Sequence, residues 1–215
     1  MGGIITTGCE SPIPWIGGKS ILLPVIKRII PERQNKFVDV FGGGGSVTLS
    51  GRYAPLQIYN DYNPHLANFM RIVKSRVDDL IDKLTGAYNK DGTLNEKFGR
   101  TFFINSRDGF NACSNVFYKG ESWEEMFDKN LKIQLKADNI LEKEHAWSMV
   151  MESWRLYQER EKDPELMDAV MFFILMKCSY SATGTSWACK PVNYNSIVRQ
   201  ISLPVSFIFE PHLSQ

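Results

Sequence analysis

A short segment typical of a β-strand, near the start of the chain, contains an acidic residue and is followed by a run of glycines. Phe37-Val38-Asp39-Val40-Phe41 is followed at once by Gly42-Gly43-Gly44-Gly45, and Ser46-Val47-Thr48-Leu49 can open a helix after them. Glycines after a strand let a ligand approach the backbone and leave amide groups pointing to the head of the next helix. The segment indicates a site for a nucleotide-like ligand, although glycine runs also serve as plain turns.

A second carboxylate, Asp61, stands roughly 20 residues after Asp39, the spacing at which nucleotide-binding α/β folds place an acidic residue that binds ribose hydroxyls. It directly follows a predicted strand at Leu56-Gln57-Ile58-Tyr59. The alternative is that Asp61 caps the helix that begins at Asn63. Together, the glycine run and the second carboxylate favour a ligand that contains a ribose.

The glycine run does not complete the dinucleotide pattern Gly-x-Gly-x-x-Gly. Counted from Gly42 or Gly43, the last position holds Val47 or Thr48. In dinucleotide sites that glycine permits close packing of helix on strand, so a nicotinamide or flavin cofactor is disfavoured. An adenosine ligand without a pyrophosphate, such as S-adenosylmethionine, fits the remaining residues better.

The segment Trp15-Ile16-Gly17-Gly18-Lys19 offers an aromatic ring, two flexible residues and a cation that can reach a small carboxylate. With Ser20 it ends like a phosphate-binding loop, but such a loop needs glycine where Ile13 stands. Hydrolysis of ATP or GTP is therefore disfavoured. The alternative for this segment is a helix cap with a solvated lysine.

These segments resemble DNA adenine-N6 methyltransferases of the class whose cofactor motifs precede the target-recognition region. The resemblance rests on the order and spacing of Trp15 to Lys19, Asp39 to Val47 and Asn60-Asp61-Tyr62-Asn63. It covers residues 12–75 and, more loosely, 172–195. It implies S-adenosylmethionine as methyl donor, DNA as partner, and cofactor contacts from Trp15, Gly17, Gly18, Lys19, Asp39, Phe41, Gly43, Gly45 and Asp61. By this resemblance Lys19 pairs with the methionine carboxylate and Asp61 holds the ribose.

The sequence departs from the family at the catalytic motif. The family transfers the methyl group with an Asp-Pro-Pro-Tyr type motif that binds the flipped base, whereas no two prolines are adjacent in this sequence. The nearest imitation, Phe209-Glu210-Pro211-His212-Leu213, has a longer acid and no aromatic to stack. We assign no catalytic residue and expect either that the sequence stops before the catalytic strand, as in a truncated product, or that the chemistry has been lost. In both cases the alternative function is a cofactor- or DNA-binding module.

The expected fold is α/β, a Rossmann-like methyltransferase fold with a mostly parallel sheet and a helical insertion. Residues 1–75 and 165–215 would form the cofactor-binding domain, incomplete at its carboxyl end, and residues 76–164 the insertion, a candidate target-recognition region. Apolar residues at helical spacing predict one helix after Asn63-Pro64, carrying Leu66, Met70, Val73, Val77, Leu80 and Leu84. Further predictions are helices at 146–160 and from Asp163-Pro164, a polar loop at 179–187 and a last strand at 205–209.

Composition and charge narrow the class of protein. The chain has 215 residues with a formal net charge of +1, and acidic residues outnumber basic ones between Glu121 and Asp168. The four cysteines and three histidines lack the spacing of a zinc site or a disulfide framework, and no apolar run is long enough to span a membrane. We expect a cytoplasmic protein with no metal, and the oligomeric state is open. Some basic and aromatic residues outside the acidic middle could face DNA, although the favoured alternative for each is an ordinary surface or core residue. They are Arg107, Tyr118, Lys119, Tyr180, Trp187, Lys190 and Arg199.

Overall fold

The structure of the protein is a computed structural model that describes residues 11–87, 107–136, 139–141, 144, 157–158, 160–186, 188 and 201. The described residues include two strands and seven α-helices. A 3-10 turn at Ser20–Leu22 leads into the first helix, and another, Tyr180–Ala182, follows the last. In chain order the elements are α1 (Leu23–Ile29), β1 (Lys36–Asp39), α2 (Ser46–Leu49), β2 (Leu56–Tyr59), α3 (Pro64–Ser75), α4 (Val77–Ala87), α5 (Arg107–Lys119), α6 (Trp123–Lys136) and α7 (Pro164–Cys178).

Strands β1 and β2 pair in parallel, with Lys36 opposite Leu56 and Asp39 opposite Tyr59. The predicted order of strand, glycine turn, helix, strand and helix is confirmed. The first strand ends at Asp39, two residues earlier than expected, because Val40 and Phe41 already belong to the turn. The described part is thus mixed α/β with a small parallel sheet, and helices must cover so small a sheet for it to be stable.

Helix α3 begins where the sequence predicts it. The side chain of Asn63 accepts hydrogen bonds from the backbone amides of His65 and Leu66, and Pro64 takes the first helical position. This is the expected N-cap, since the first amides of a helix have no partner within the helix. Asn63, rather than Asp61, therefore caps α3.

The single helix predicted after Asn63 is two helices in the structure. The helical conformation is interrupted at Arg76, whose φ of −145° and ψ of 41° end α3 before α4 begins at Val77. The guanidinium of Arg76 donates to Asp79, with 2.9 Å from Nε to Oδ2, and to Asp163, with 2.6 Å from Nη2 to Oδ2. This ion cluster ties the break to the residue that caps α7.

Helix α7 forms the centre of the hydrophobic core. It begins at Pro164 as predicted, and the side chain of Asp163 accepts a hydrogen bond from the Leu166 amide at 3.3 Å. Most of its residues are buried on every side, as expected for a helix that has neighbours all round. It packs on α3, where the rings of Phe69 and Phe173 stack with centroids 5.8 Å apart, and also on α4 and α5.

The predicted loop after α7 contains one 3-10 turn, Tyr180–Ala182, in which Ser181 and Ala182 have φ of 52° and 54°. Trp187, the strand predicted at 205–209 and most of the helix predicted at 146–160 lie outside the described residues. The proposed division into a sheet domain and an insertion stays a prediction.

Two features are absent from the described residues. None of their helices combines the length and the apolar character needed to cross a bilayer. Their His, Cys, Asp and Glu side chains form no group of three or more that could hold a metal ion.

Candidate functional site

The candidate site lies at the carboxyl edge of β1 and β2, where the chain leaves both strands. The amide of Gly42 donates to the carbonyl of Asn60 at 2.8 Å, and the side-chain amide of Asn60 donates to the carbonyl of Val40 at 2.9 Å. The turn after β1 and the segment after β2 are therefore joined directly. In open α/β sheets this edge is where ligands bind.

Asp61 is hydrogen-bonded to the glycine turn. Its Oδ2 accepts from the amide of Gly43 at 2.8 Å, and its Oδ1 accepts from the amide of Asn63 at 3.0 Å. Each carboxylate oxygen has two lone pairs, so each can accept one more hydrogen bond. Asp61 thus fixes the turn and retains acceptor capacity toward the edge of the sheet.

Lys19 reaches the same turn from the amino-terminal segment. Its ammonium donates to the carbonyl of Phe41 and lies 3.8 Å from Oδ1 of Asp39. Asp39 is buried, and its Oδ2 accepts from the hydroxyl of Thr48 at 2.8 Å. Lys19 is therefore held at the site and is not a fully solvated lysine.

Trp15 borders the turn on another side. A Cβ added to Gly43, whose φ is +53°, would lie 3.1 Å from Cδ1 of Trp15, so ring and backbone are in close contact. Gly17 and Gly18 form the bend between Trp15 and Lys19, closed by a hydrogen bond from the Gly18 amide to the Trp15 carbonyl at 3.2 Å. This bend is what brings ring and ammonium to the same place.

The far end of the glycine turn is also tightly packed. Gly45 has a φ of +79° and directly precedes α2, and its amide donates to the carbonyl of Gly42 at 2.9 Å. A Cβ at Gly45 would lie 2.5 Å from Cε of Met70, closer than such atoms approach. The backbone conformation favours glycine here, and a side chain would also displace the flexible end of Met70 on α3.

Three exposed apolar side chains surround these polar groups. Phe41 is 75% exposed, Tyr62 is 96% exposed and Ile16 is 58% exposed, and they come from the three segments that form the site. Exposed aromatic rings beside convergent polar groups provide a face on which a flat ring can stack. The structure thus brings Lys19, Asp61 and Trp15 to the turn after β1, while Gly17 and Gly18 lie in the bend that precedes Lys19. That these residues bind a cofactor stays a prediction.

The sequence prediction missed Tyr59. This buried residue donates from its hydroxyl to the carbonyl of Gly43 at 2.7 Å. Burial, and then the negative charges of Asp61 and Asp39, raise the pKa of Tyr59, so it stays a protonated donor. The alternation of buried Gln57 and Tyr59 along β2 is the signal by which it could have been found.

A chain of ring contacts leads from the site into the helical core, and we call it the aromatic chain (Trp15, Phe172, His65 and Phe117). The ring of Phe172 lies 6.2 Å from Trp15 and 5.8 Å from Phe117. His65 meets Phe117 edge-on at 4.8 Å and lies 5.9 Å from Phe172. The glycine turn, α3, α5 and α7 therefore share one packed set of rings.

His65 makes stability depend on pH. Burial lowers the pKa of its imidazole, while the negative charge of Asp168 and a hydrogen bond to the backbone of Phe117 oppose the shift. The imidazole then binds a proton more readily in the unfolded chain than in the folded one. The stability that neutral His65 contributes is therefore fully present above the ordinary pKa of about 6.5 and is lost as pH falls below it. When the pH is lowered from about 7 to about 5.5, we expect the melting temperature of His65→Phe to fall less than that of the native chain.

The measurement is thermal unfolding followed by circular dichroism at several pH values. The pKa of Asp163 is lowered by its hydrogen bond to Arg76, and that of Glu124 is lowered too, so the stability they contribute is lost only at more acid pH. Parallel curves for the native chain and His65→Phe over this window would contradict the role of His65.

A family model of the D12 class N6 adenine-specific DNA methyltransferase matches residues 15–156, which is more than half of the chain. The chain belongs to this family, and the resemblance inferred from the sequence is confirmed. The match begins at Trp15 and includes every predicted cofactor residue. The family implies a Rossmann-like fold, and its members use S-adenosylmethionine as methyl donor.

Three curated relatives show the extent of the similarity. The Type II methyltransferase M1.LlaDCHI of Lactococcus lactis subsp. cremoris is 40% identical over 72 residues, 33% of this chain and 25% of that protein. The Type II methyltransferase M.MjaIII of Methanocaldococcus jannaschii is 31% identical over 111 residues, 48% of this chain and 38% of its own. The DNA adenine methylase of Haemophilus influenzae is 30% identical over 105 residues, which are 49% of this chain and 35% of that protein. The chain thus spans between a quarter and two fifths of the length of these relatives.

Proposed function

We propose that this chain binds S-adenosylmethionine at the carboxyl edge of β1 and β2, and that it serves the transfer of a methyl group to N6 of adenine in DNA. The observation that carries the proposal is the convergence of Lys19, the glycine turn and Asp61 through direct contacts. Membership of the D12 class supports both the cofactor and the substrate.

The side chains at this edge match the chemical groups of that cofactor. The ammonium of Lys19 has three donors, so it can keep the carbonyl of Phe41 and still pair with the methionine carboxylate. The free lone pairs of Asp61 suit the ribose hydroxyls, and the exposed ring of Phe41 suits the adenine. Trp15 and the glycines complete the cradle.

S-adenosylmethionine, when bound, supplies an electrophilic methyl group. The residues of this chain hold and orient it, and orientation of two bound reactants in near-attack geometry is a large source of rate in such a transfer. The domain that does this comprises residues 1–75 and 165–215, with a larger, mostly parallel sheet, and residues 76–164 serve target recognition. We also propose that the protein works in the cytoplasm.

Lys19→Met provides the first test. We expect it to weaken binding of S-adenosylmethionine by about 10- to 150-fold, since hydrogen bonds to charged groups contribute about 1.5–3 kcal/mol. Adenosine has no methionine carboxylate, so its affinity should be the same for the native chain and the variant. Isothermal titration calorimetry with both ligands measures the difference.

The matched control is Lys27→Met. Lys27 also donates to a backbone carbonyl, that of Ser50 at 2.8 Å, but on α1 and outside the site, so its removal should leave both affinities unchanged. Equal loss of both ligands in Lys19→Met, or no binding of S-adenosylmethionine by the native chain, would overturn the proposed site.

A second candidate function is a cofactor- or DNA-binding module without catalytic activity. An assay for transfer of labelled methyl groups to DNA distinguishes it from the proposed enzyme. The sequence contains no Asp-Pro-Pro-Tyr motif, which is the reason to keep that candidate. Labelling of adenine in DNA by the chain would establish the enzyme. Binding of S-adenosylmethionine without labelling would establish the module.

A further inference from the structure

A polar cavity lies between α5 and the loop after α7, and we call it the α5 recess. It has a volume of about 560 Å³ and is lined by Ser114, Asn115, Tyr118, Lys119 and Thr185. All but Tyr118 can donate a side-chain hydrogen bond into it, one carries a positive charge, and none is acidic. Such a lining suits an anion.

The loop wall of the α5 recess is fixed by close packing. The amide of Tyr180 donates to the carbonyl of Ser186 at 2.6 Å, which closes the loop. Gly184 has a φ of +71°, and a Cβ there would lie 2.3 Å from Cε2 of Tyr118. A wall that is already ordered does not lose conformational entropy when a ligand binds.

Tyr118 is held from the core side as well. Its hydroxyl donates to Sδ of Met176 at 3.7 Å, and burial raises its pKa to about 12, so the proton stays in this contact at neutral pH. The ring of Tyr118 therefore forms a firm boundary between α5 and α7.

Among the residues that the structure describes, Lys119 is the one charged side chain in the lining of the α5 recess. Lys119 stands in the last turn of α5 and takes part in none of the ion pairs formed within the described residues. The nearest acid along the chain, Glu121, is paired with Lys129 at 3.2 Å, so its charge is largely offset. An anion in the recess would meet an ammonium without facing an unpaired carboxylate from the lining.

The aromatic chain connects the α5 recess to the candidate cofactor site. Phe117, next to Tyr118 on α5, contacts Phe172 at 5.8 Å, and Phe172 contacts Trp15 at 6.2 Å beside the glycine turn. Two ring contacts thus separate the helix that forms the recess from the site. A strand of DNA that presents a base at that site would carry its backbone into this neighbourhood.

We propose that the α5 recess binds a backbone phosphate of the DNA strand, an inference that rests on the proposed function. Hydroxyl, amide and ammonium donors are the groups with which proteins hold phosphate oxygens, and such contacts fix register without reading sequence. Of the residues that could face DNA, Tyr118 and Lys119 line the recess and Tyr180 lies on its loop. The side chain of Arg107 and all of Trp187, Lys190 and Arg199 are outside the described part.

The test uses Lys119→Met and Asn115→Asp in the full chain. The first removes the cation, and the second puts a carboxylate of the same size into the α5 recess. We expect each to weaken binding of double-stranded DNA by roughly three- to tenfold, and Lys119→Met to lower the slope of log affinity against log salt by about 0.9. Titration of a fluorescent oligonucleotide at several salt concentrations measures both, and affinity for S-adenosylmethionine should not change.

Lys136→Met is the matched control, because Lys136 is also an exposed lysine in the last turn of a helix, here α6. This variant should leave the salt slope unchanged. If the native chain binds DNA and both variants at the α5 recess keep its affinity and slope, this proposal is wrong while the proposed function stands. A parallel loss of affinity for S-adenosylmethionine would make the recess a structural element and overturn the proposal. A native chain that binds neither ligand would remove the proposed function itself.

Discussion

Asp61→Ala is expected to weaken binding of S-adenosylmethionine by about 10- to 150-fold, a loss of the same size as that expected for Lys19→Met. The variant removes the acceptor oxygens proposed to bind the ribose and leaves the amide of Gly43 without its partner. Because adenosine also contains the ribose, its affinity should fall by a similar factor. Lys19→Met affects only the ligand with a carboxylate, so the two variants have different signatures in the same calorimetric experiment.

The role of Asp61 in the turn can be separated from its role toward the ribose. A nucleoside that lacks both ribose hydroxyls, 2′,3′-dideoxyadenosine, cannot bind the carboxylate in the proposed way. If Asp61 holds the ribose, this ligand should bind the native chain and Asp61→Ala with nearly equal affinity. A loss as large as that for adenosine would show that Asp61 acts only by holding the glycine turn in place.

The control for removal of a carboxylate is Asp78→Ala. Asp78 is an exposed acid in the first turn of α4, so its loss changes the net charge as Asp61→Ala does without affecting the site. We expect its affinity for every ligand to match that of the native chain. A general effect of charge would appear in both variants, whereas a contact with the ligand appears only in Asp61→Ala.

Local signals explain why the amino-terminal part could be predicted. The N-cap at Asn63, the first-turn proline and the strands on either side of the glycine turn depend on neighbours within a few residues. The closeness of the candidate site residues could also be predicted, because parallel strands bring their carboxyl ends to one edge. Their order along the chain was therefore enough to place Asp39 and Asp61 near each other.

Long-range partners explain what could not be predicted. The helix breaks at Arg76, where the apolar spacing continues, and the acid that binds its guanidinium, Asp163, is 87 residues away. Phe172 and Phe117, which connect the site with the core, come from helices far along the chain. The periodicity of a segment specifies which face is apolar, but it does not show which distant side chain will meet that face.

The glycine turn depends on a left-handed backbone at Gly45, and Gly45→Ala tests that requirement. An L-residue at a φ of +79° costs about 1–2 kcal/mol, and the contact with Met70 adds little, because its Cε is the free end of a flexible side chain. We expect the free energy of unfolding to fall by about 1–2 kcal/mol, measured by urea denaturation. Gly86→Ala should instead stabilise the chain by up to about 1 kcal/mol, because Gly86 lies in α4 with open space around it.

A double-mutant cycle with Met70→Ala tests whether contact with α3 adds to this loss. Truncation of Met70 removes the nearest atom that a Cβ at Gly45 would meet, but it leaves Cδ1 of Leu49 at 3.2 Å and the φ of the turn unchanged. The cost of Gly45→Ala should therefore stay at about 1–2 kcal/mol when Met70 is already alanine, because the backbone conformation causes it. If the cost instead fell markedly in the Met70→Ala background, contact with α3 would also constrain the turn.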